Sequence, residues 1–208
     1  KRCMLAKVGS LRLTELPSID WVEVNRKAFP AFRVGKFWVY GSHIKSPVPG
    51  GLFPICVDAA QAFGSGTHAT TKGCMVAIQT AARSQRNTKR ILDLGCGSGI
   101  LSIAAKYVFP SSCIIAADYD KICVKTTAEN WSLNQLPKRG FTAIYSDGFS
   151  HTKLRNKRKF DLIIANILAK PLRVLAPLIA QNLNLNGKVV LSGLLTSQVR
   201  DIRAIYRH

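Results

Sequence analysis

The sequence predicts an α/β fold: a doubly wound, mostly parallel sheet covered by helices on both faces, with a small β-rich appendage ahead of it. Three observations carry that expectation. Beyond residue 88, short apolar runs alternate with segments whose apolar residues recur at helical spacing. Those runs are apolar on both faces, as strands buried between two helical layers must be. The first of them, "RILDL" (90–94), runs straight into a glycine-rich turn with a helical pattern behind it.

The elements follow in order. Residues 1–20 are mixed in character and broken by Pro17, and read as a remnant or linker. Residues 21–66 read as the small β-rich unit. Within it, β-branched and aromatic residues from Phe32 to Tyr40, interrupted by Gly35-Lys36, predict a hairpin. "SPVPGGLFP" (46–54) is a turn region, and "ICVDA" (55–59) is a short strand. "FGSGTHATT" (63–71) leads into a helix capped by Thr70 or Thr71, with Cys74, Ile78 and Ala81 on its inner face.

From residue 67 to residue 208 the pattern is that of one ligand-binding α/β domain. After "RILDL" comes a helix near 98–108, then a second strand, "CIIAAD" (113–118). Asp120 opens the next helix, with Val124, Ala128 and Trp131 facing inward. "FTAIY" (141–145) and "FDLIIAN" (160–166) are the third and fourth strands. Pro171 suits the first turn of the helix that follows, while Pro177 predicts a kink or split within it. "KVVLSG" (188–193) is the fifth strand, and Val199, Ile202 and Tyr206 mark a last helix.

The chain has 208 residues, 47% of them hydrophobic, enough for one domain of catalytic size and an appendage. No apolar run approaches the ~20 residues of a membrane span, and no secretory leader is visible. The six cysteines include no C-x-x-C pair, which predicts reduced thiols in the cytoplasm and no metal site. The net charge of +19 has two readings: a polyanionic partner such as ribosomal RNA, or a solvated basic surface. The densest cluster, "KLRNKRK" (153–159), reads as an exposed loop.

The chemistry-bearing residues lie at strand tips, where open α/β sheets bind ligands. Gly95, Gly97 and Gly99 bare the backbone between a strand and a helix that offers free N–H groups. A dinucleotide turn wants G-x-G-x-x-G, but Ile100 replaces its last glycine and the motif reads D-x-G-x-G-x-G from Asp93. Asp118, at the tip of the second strand, has the position of an acid that accepts both ribose hydroxyls of a nucleoside. The competing role, capping the next helix, suits Asp120 better. Asn166 ends the fourth strand. Its amide can orient an amine for attack but cannot take its proton, and a turn-forming role is the alternative.

Together these features resemble the class I, Rossmann-like methyltransferases that use S-adenosylmethionine. "FGSGTHATT", "LDLGCGSGILSIAA", "AADYD", "ANILAKPL" and "LSGLL", in this order, are similar to the PrmA family, which methylates ribosomal protein eleven of the large subunit. The resemblance implies S-adenosylmethionine as cofactor and an amino group as acceptor, a lysine ε-amine or an N-terminal α-amine. It places Thr71, Gly95, Asp118 and Asn166 at the cofactor, with Asp93 and Gly97 in the same turn, and Asn166 beside the incoming amine. His68 is either a substrate-side group or a buried structural histidine. Lys170 and Pro171 follow the family's pattern loosely.

Two departures from that family are expected. The residues ahead of position 21 are too few for a separate substrate-recognition domain. The pattern also shows no terminal strand pair after the last helix, which would leave "KVVLSG" as a sheet edge open to self-association. The basic charge keeps an RNA methyltransferase open, and the departures keep open a cofactor-binding remnant without activity.

Overall fold

The structure is a computed structural model that describes residues 30–58, 68–85, 87–155 and 158–207. The expected hairpin is present. β1 (Phe32–Val34) and β2 (Phe37–Tyr40) pair antiparallel, and Gly35 turns between them at φ +58°. β3 (Phe53–Cys56) begins earlier than expected and lies parallel to β2, completing a three-stranded sheet. Phe37, Val39 and Ile55 are fully buried, so this small sheet contributes one face to the main core.

The larger sheet holds β4 (Arg90–Leu94), β5 (Cys113–Asp118), β6 (Phe141–Tyr145), β7 (Phe160–Asn166) and β8 (Leu183–Ser192). Their order is β6-β5-β4-β7-β8, and every neighbouring pair is parallel. The chain therefore winds outward from β4 to β6, then returns to β7 on the other side of β4. Between β4 and β7 the direction of winding reverses, and the crevice above that point is where such sheets hold ligands.

The helices are α1 (Ala69–Ser84), α2 (Ile100–Val108), α3 (Lys121–Leu133), α4 (Ala169–Asn182) and α5 (Val199–Ile205). Alternation along the strands divides them into two layers. Leu162 and Ile164 of β7 face the side of α1, α2, Trp131 and the small sheet. Ile163 and Ala165 face the side of α4, α5 and Phe149–Leu154. Trp131 closes the end of its layer by stacking on Phe141, ring centroids 3.7 Å apart.

Four expectations are corrected. Neither Thr70 nor Thr71 caps α1; the N-cap is His68, with no side-chain cap bond, and Thr71 is buried within the first turn. The inner face of α3 is Cys123, Thr127, Asn130 and Trp131, while Val124 is half-buried and Ala128 exposed. Buried Thr127 and Asn130 are tolerated because main-chain groups satisfy both. Pro177 does not split α4: it lies on the exposed face, where the carbonyl it leaves unpaired can be hydrated. β8 starts at Leu183, well before Lys188, with a register shift opposite Phe160–Leu162 and Asn186 at φ +65°. As expected, β8 is an outer strand of the sheet among the described residues.

Cys56, Cys74, Cys96 and Cys123 are buried thiols outside any disulfide, and Cys113 is exposed. Burial, with Asp58 adding to it, pushes Cys56 up to about 11. Burial raises Cys74 to about 11 and Cys96 well above the ordinary thiol range. Cys3, both expected domain boundaries and part of "KLRNKRK" lie outside the described residues. No helix among the described residues is long and apolar enough to cross a membrane.

Candidate active site at the strand tips

The glycine turn begins where β4 ends. Gly95, Gly97 and Gly99 have φ of +76°, +53° and +80°, a region that side chains with a Cβ rarely adopt. At Gly95 the need is also steric, because a Cβ there would stand 2.3 Å from Ile167 Cγ2. Gly95 N and Cys96 N both donate to Ala117 O, at 2.8 and 3.1 Å, which bends the turn over the tip of β5.

That bend brings Asp118 to the turn. Gly97 N donates to Asp118 Oδ2 at 2.9 Å and Asp120 N to Asp118 Oδ1 at 3.0 Å. Each carboxylate oxygen thus has lone-pair capacity left for one more donor. Asp120, in contrast, accepts from Ile122 N at 2.8 Å and caps α3. Of the two acids of "AADYD", it is Asp120 that caps α3, as expected.

Asp93 lies beneath the turn, 1% exposed, and Ser102 Oγ donates to its Oδ2 at 2.6 Å. Burial raises its carboxyl to about 6; the Ser102 bonds pull it down and the charge of Asp118 pushes it up. Its Oδ1 is buried without a partner. Asn166 ends β7, and its Nδ2 donates to Thr71 Oγ1 at 3.2 Å. Asn166 Oδ1 is a second buried acceptor with no partner. Ser192 Oγ, at the end of β8, donates to Thr70 O at 3.2 Å, so the first turn of α1 is tied to both β7 and β8.

The structure thus brings Thr71, Asp93, Gly95, Gly97, Asp118 and Asn166 to one end of one sheet. His68 is exposed, which removes the buried structural reading. Lys170 and Pro171 are exposed in the first turn of α4.

Sequence reasoning missed the groups that hold the turn from behind. Thr127 Oγ1 donates to Gly97 O at 3.0 Å, and Asn130 Nδ2 to Ser98 O at 2.8 Å. Asn130 Oδ1 also accepts from Asp58 N, and its Nδ2 reaches Asp58 O. Asn134 does the same for Cys56, accepting from its N at 2.8 Å and donating to its O at 2.6 Å. The signal was present in "ENWSLN", two amides four residues apart on a predicted helix.

Bare backbone, a carboxylate with spare acceptor capacity and two orphaned acceptors suit a nucleoside that also carries an ammonium donor. Among the described residues no group of three or more His, Cys, Asp or Glu stands ready for a metal. A separate cavity of about 540 Å³, lined by Asp147–Ser150, Arg155, Lys159 and the second half of α4, shares no residue with this site.

The family model for ribosomal protein L11 methyltransferase (PrmA) matches residues 1–208. A ribosomal protein L11 methyltransferase of Brucella suis is 42% identical over 199 residues, covering 96% of this chain and 69% of that protein. One from a Chelativorans species is 39% identical over 202 residues, covering 97% and 69%. The crystal structure of a ribosomal protein L11 methylase from Lactobacillus delbrueckii superposes with a TM-score of 0.72 at 28% identity, over 84% of this chain and 86% of that one.

Proposed function

The chain belongs to the ribosomal protein L11 methyltransferase (PrmA) family of S-adenosylmethionine-dependent methyltransferases, and from that premise we propose that it methylates amino nitrogens of ribosomal protein L11 at the β4–β7 crevice. The substrate class and the methyl donor follow from the family. The acceptor nitrogen and the residue roles are our reading of the site.

Bound S-adenosylmethionine would supply an electrophilic methyl and, on transfer, a neutral thioether leaving group. Asp118 would hold the sugar, using the acceptor capacity that Gly97 N and Asp120 N leave free. Gly95 and Gly97 let the ligand approach the main chain. Asp93 holds the first turn of α2 through Ser102 and offers Oδ1 to an ammonium donor. Thr71 fixes the rotamer of Asn166 by accepting from its Nδ2, which leaves Oδ1 as the acceptor for an amine N–H.

The buried, unpartnered Oδ1 of Asn166, its amide held by Thr71, is the observation that carries the reading. An amide carbonyl cannot remove a proton but can orient an amine that has already lost one. At pH 7, deprotonating a lysine of pKa ~10.4 costs about 4–5 kcal/mol, and an α-amine of pKa ~8 about 1–1.5 kcal/mol. Desolvation in the crevice and the adjacent sulfonium both lower the amine's pKa, so the proton leaves to water before attack. Alignment of the two reactants supplies the larger share, ~7–11 kcal/mol. Exposed Leu168 and Leu195 flank Asn166 and Gly193 along the chain and offer apolar contact to a protein substrate. The reduced thiols support a cytoplasmic setting.

Calorimetry with S-adenosylmethionine tests the site, with Asp118→Ala as the control. Removing an acceptor of two hydrogen bonds to a charged group should cost about 1.5–3 kcal/mol, or roughly 10- to 150-fold in Kd. Unchanged affinity would take Asp118 out of the site, and no heat from the unmodified chain would favour a remnant. Transfer of labelled methyl groups into ribosomal protein L11, and not into ribosomal RNA, tests the acceptor.

A further inference from the structure

The opposite end of the large sheet carries a charge pattern that methyl transfer does not use. All five strands are parallel, so they all begin at one edge. Exposed Lys138 and Arg139 stand before β6, Lys89 precedes Arg90 at the start of β4, and Arg158 and Lys159 precede β7. Lys188 pairs with Leu162 where the β7–β8 ladder resumes, and its Nζ reaches Ser84 at the end of α1.

Main-chain bonds fix these groups as neighbours. Ile114 N donates to Gly140 O and Cys113 N to Lys89 O, both at 2.7 Å. Lys89 N and Arg90 N donate to Asp161 Oδ2 at 2.7 and 2.9 Å. Asn184 Nδ2 donates to Asp161 Oδ1 at 2.6 Å. Asp161 is the acid on this edge among the described residues, and backbone and amide donors already engage it. Five strands at about 4.8 Å spacing make a band ~19 Å wide. At about 3.4 Å of axis per phosphate, that is the span of roughly six phosphates along one strand of a duplex.

A chain that was basic merely by composition would be basic at both ends. The tips instead mix acid and base, with Asp118, Asp120, Asp147 and Asp201 among Lys72, Lys121, Lys170, Arg173 and Arg200, whereas the starting edge sets Lys89, Arg90, Lys138, Arg139, Arg158, Lys159 and Lys188 against Asp161. Arginines are interleaved with lysines along the band, and a guanidinium fork matches phosphate oxygens in a way an ammonium does not. Arg90 lies over the Phe160 ring, 5.1 Å from its centroid, which holds its guanidinium in place.

We propose that the strand-start edge of the large sheet is a docking surface for the phosphate backbone of RNA, with the methyl-transfer crevice facing away from it. The interaction is electrostatic and indifferent to sequence, and it needs neither cofactor nor protein substrate.

The test is fluorescence anisotropy of a labelled RNA hairpin against the whole chain across a KCl series. The triple variant Lys89→Glu, Arg139→Glu, Lys159→Glu is compared with Lys45→Glu, Arg200→Glu, Arg203→Glu, which changes the net charge equally elsewhere. The edge triple should bind at least ~30-fold more weakly at ~0.15 M salt and lose about two to three from the slope of log K against log salt. The control should lose less than about threefold. If both triples lose affinity alike, the charge acts globally and the surface is wrong. No binding by the unmodified chain at ~0.15 M salt, or preference for anionic lipid vesicles over RNA, also overturns it. If circular dichroism shows the edge triple unfolded, Arg139→Glu and Lys159→Glu singly must each weaken binding by at least ~3-fold. Methyl transfer to free ribosomal protein L11 is measured alongside and should be unchanged in the edge variants, so the two readings fail separately.

Discussion

Asp93 lies beneath the glycine turn with one oxygen bonded to Ser102 and the other bonded to nothing described. Its carboxyl is raised by burial to about 6, so the folded protein takes up a proton there that an unfolded chain accepts only near 3.8. The sign follows directly. Native Asp93 binds more protons than unfolded Asp93 between those values, so stability from this residue falls as pH rises through the window. Above pH 6 the full cost of a buried charge is present; below pH 3.8 it is gone. Asp93→Asn keeps an acceptor for Ser102 and removes the charge. Without cofactor, its stability relative to the parent should improve by on the order of 3 kcal/mol between pH ~4 and pH ~7. Chemical denaturation at both pH values reads this, and a constant difference would show that Asp93 does not titrate in the window.

At the scale of elements, α3 does more than cover the sheet. Four residues of helix advance about 6 Å and two residues of strand about 6.6 Å, so Asn130 and Asn134 meet Cys56 and Asp58 in step. Their side-chain amides take the place of a neighbouring strand, and Asn130 also holds Ser98 in the glycine turn. Both alanine variants should lose about 1–3 kcal/mol of stability. Only Asn130→Ala should also weaken S-adenosylmethionine binding, by about tenfold, with Asn134→Ala within twofold. Equal shifts in Kd would mean that Asn130 does not position the turn. This helix is also where sequence reading failed. Counting apolar residues picked Val124 and Ala128 for the inner face, because nothing in the sequence says which polar groups find main-chain partners. That Asp120 caps α3 was legible, since capping depends on local order alone. The bond from Asn166 to Thr71 joins residues far apart in sequence, and only the resemblance brought them together in advance.

For the whole molecule, the parallel sheet was legible because buried strands alternating with helices leave few topologies. The parallel placement of β3 beside β2, the early start of β8 and the basic edge were not, since each depends on which distant segments become neighbours. The burial of the thiols has a practical outcome. A neutral-pH alkylating reagent attacks thiolates, so among the described cysteines exposed Cys113 should be tagged at once. Cys56 in β3, Cys74 in α1 and Cys96 in the glycine turn should react only as their surroundings come apart. Peptide mass mapping over time would then give three clocks, one for each region. Methyl-donor binding should slow the Cys96 clock most, and a Cys96 that labels as fast as Cys113 would show the turn standing open. The molecule carries its own recorder of the sequence in which its parts let go.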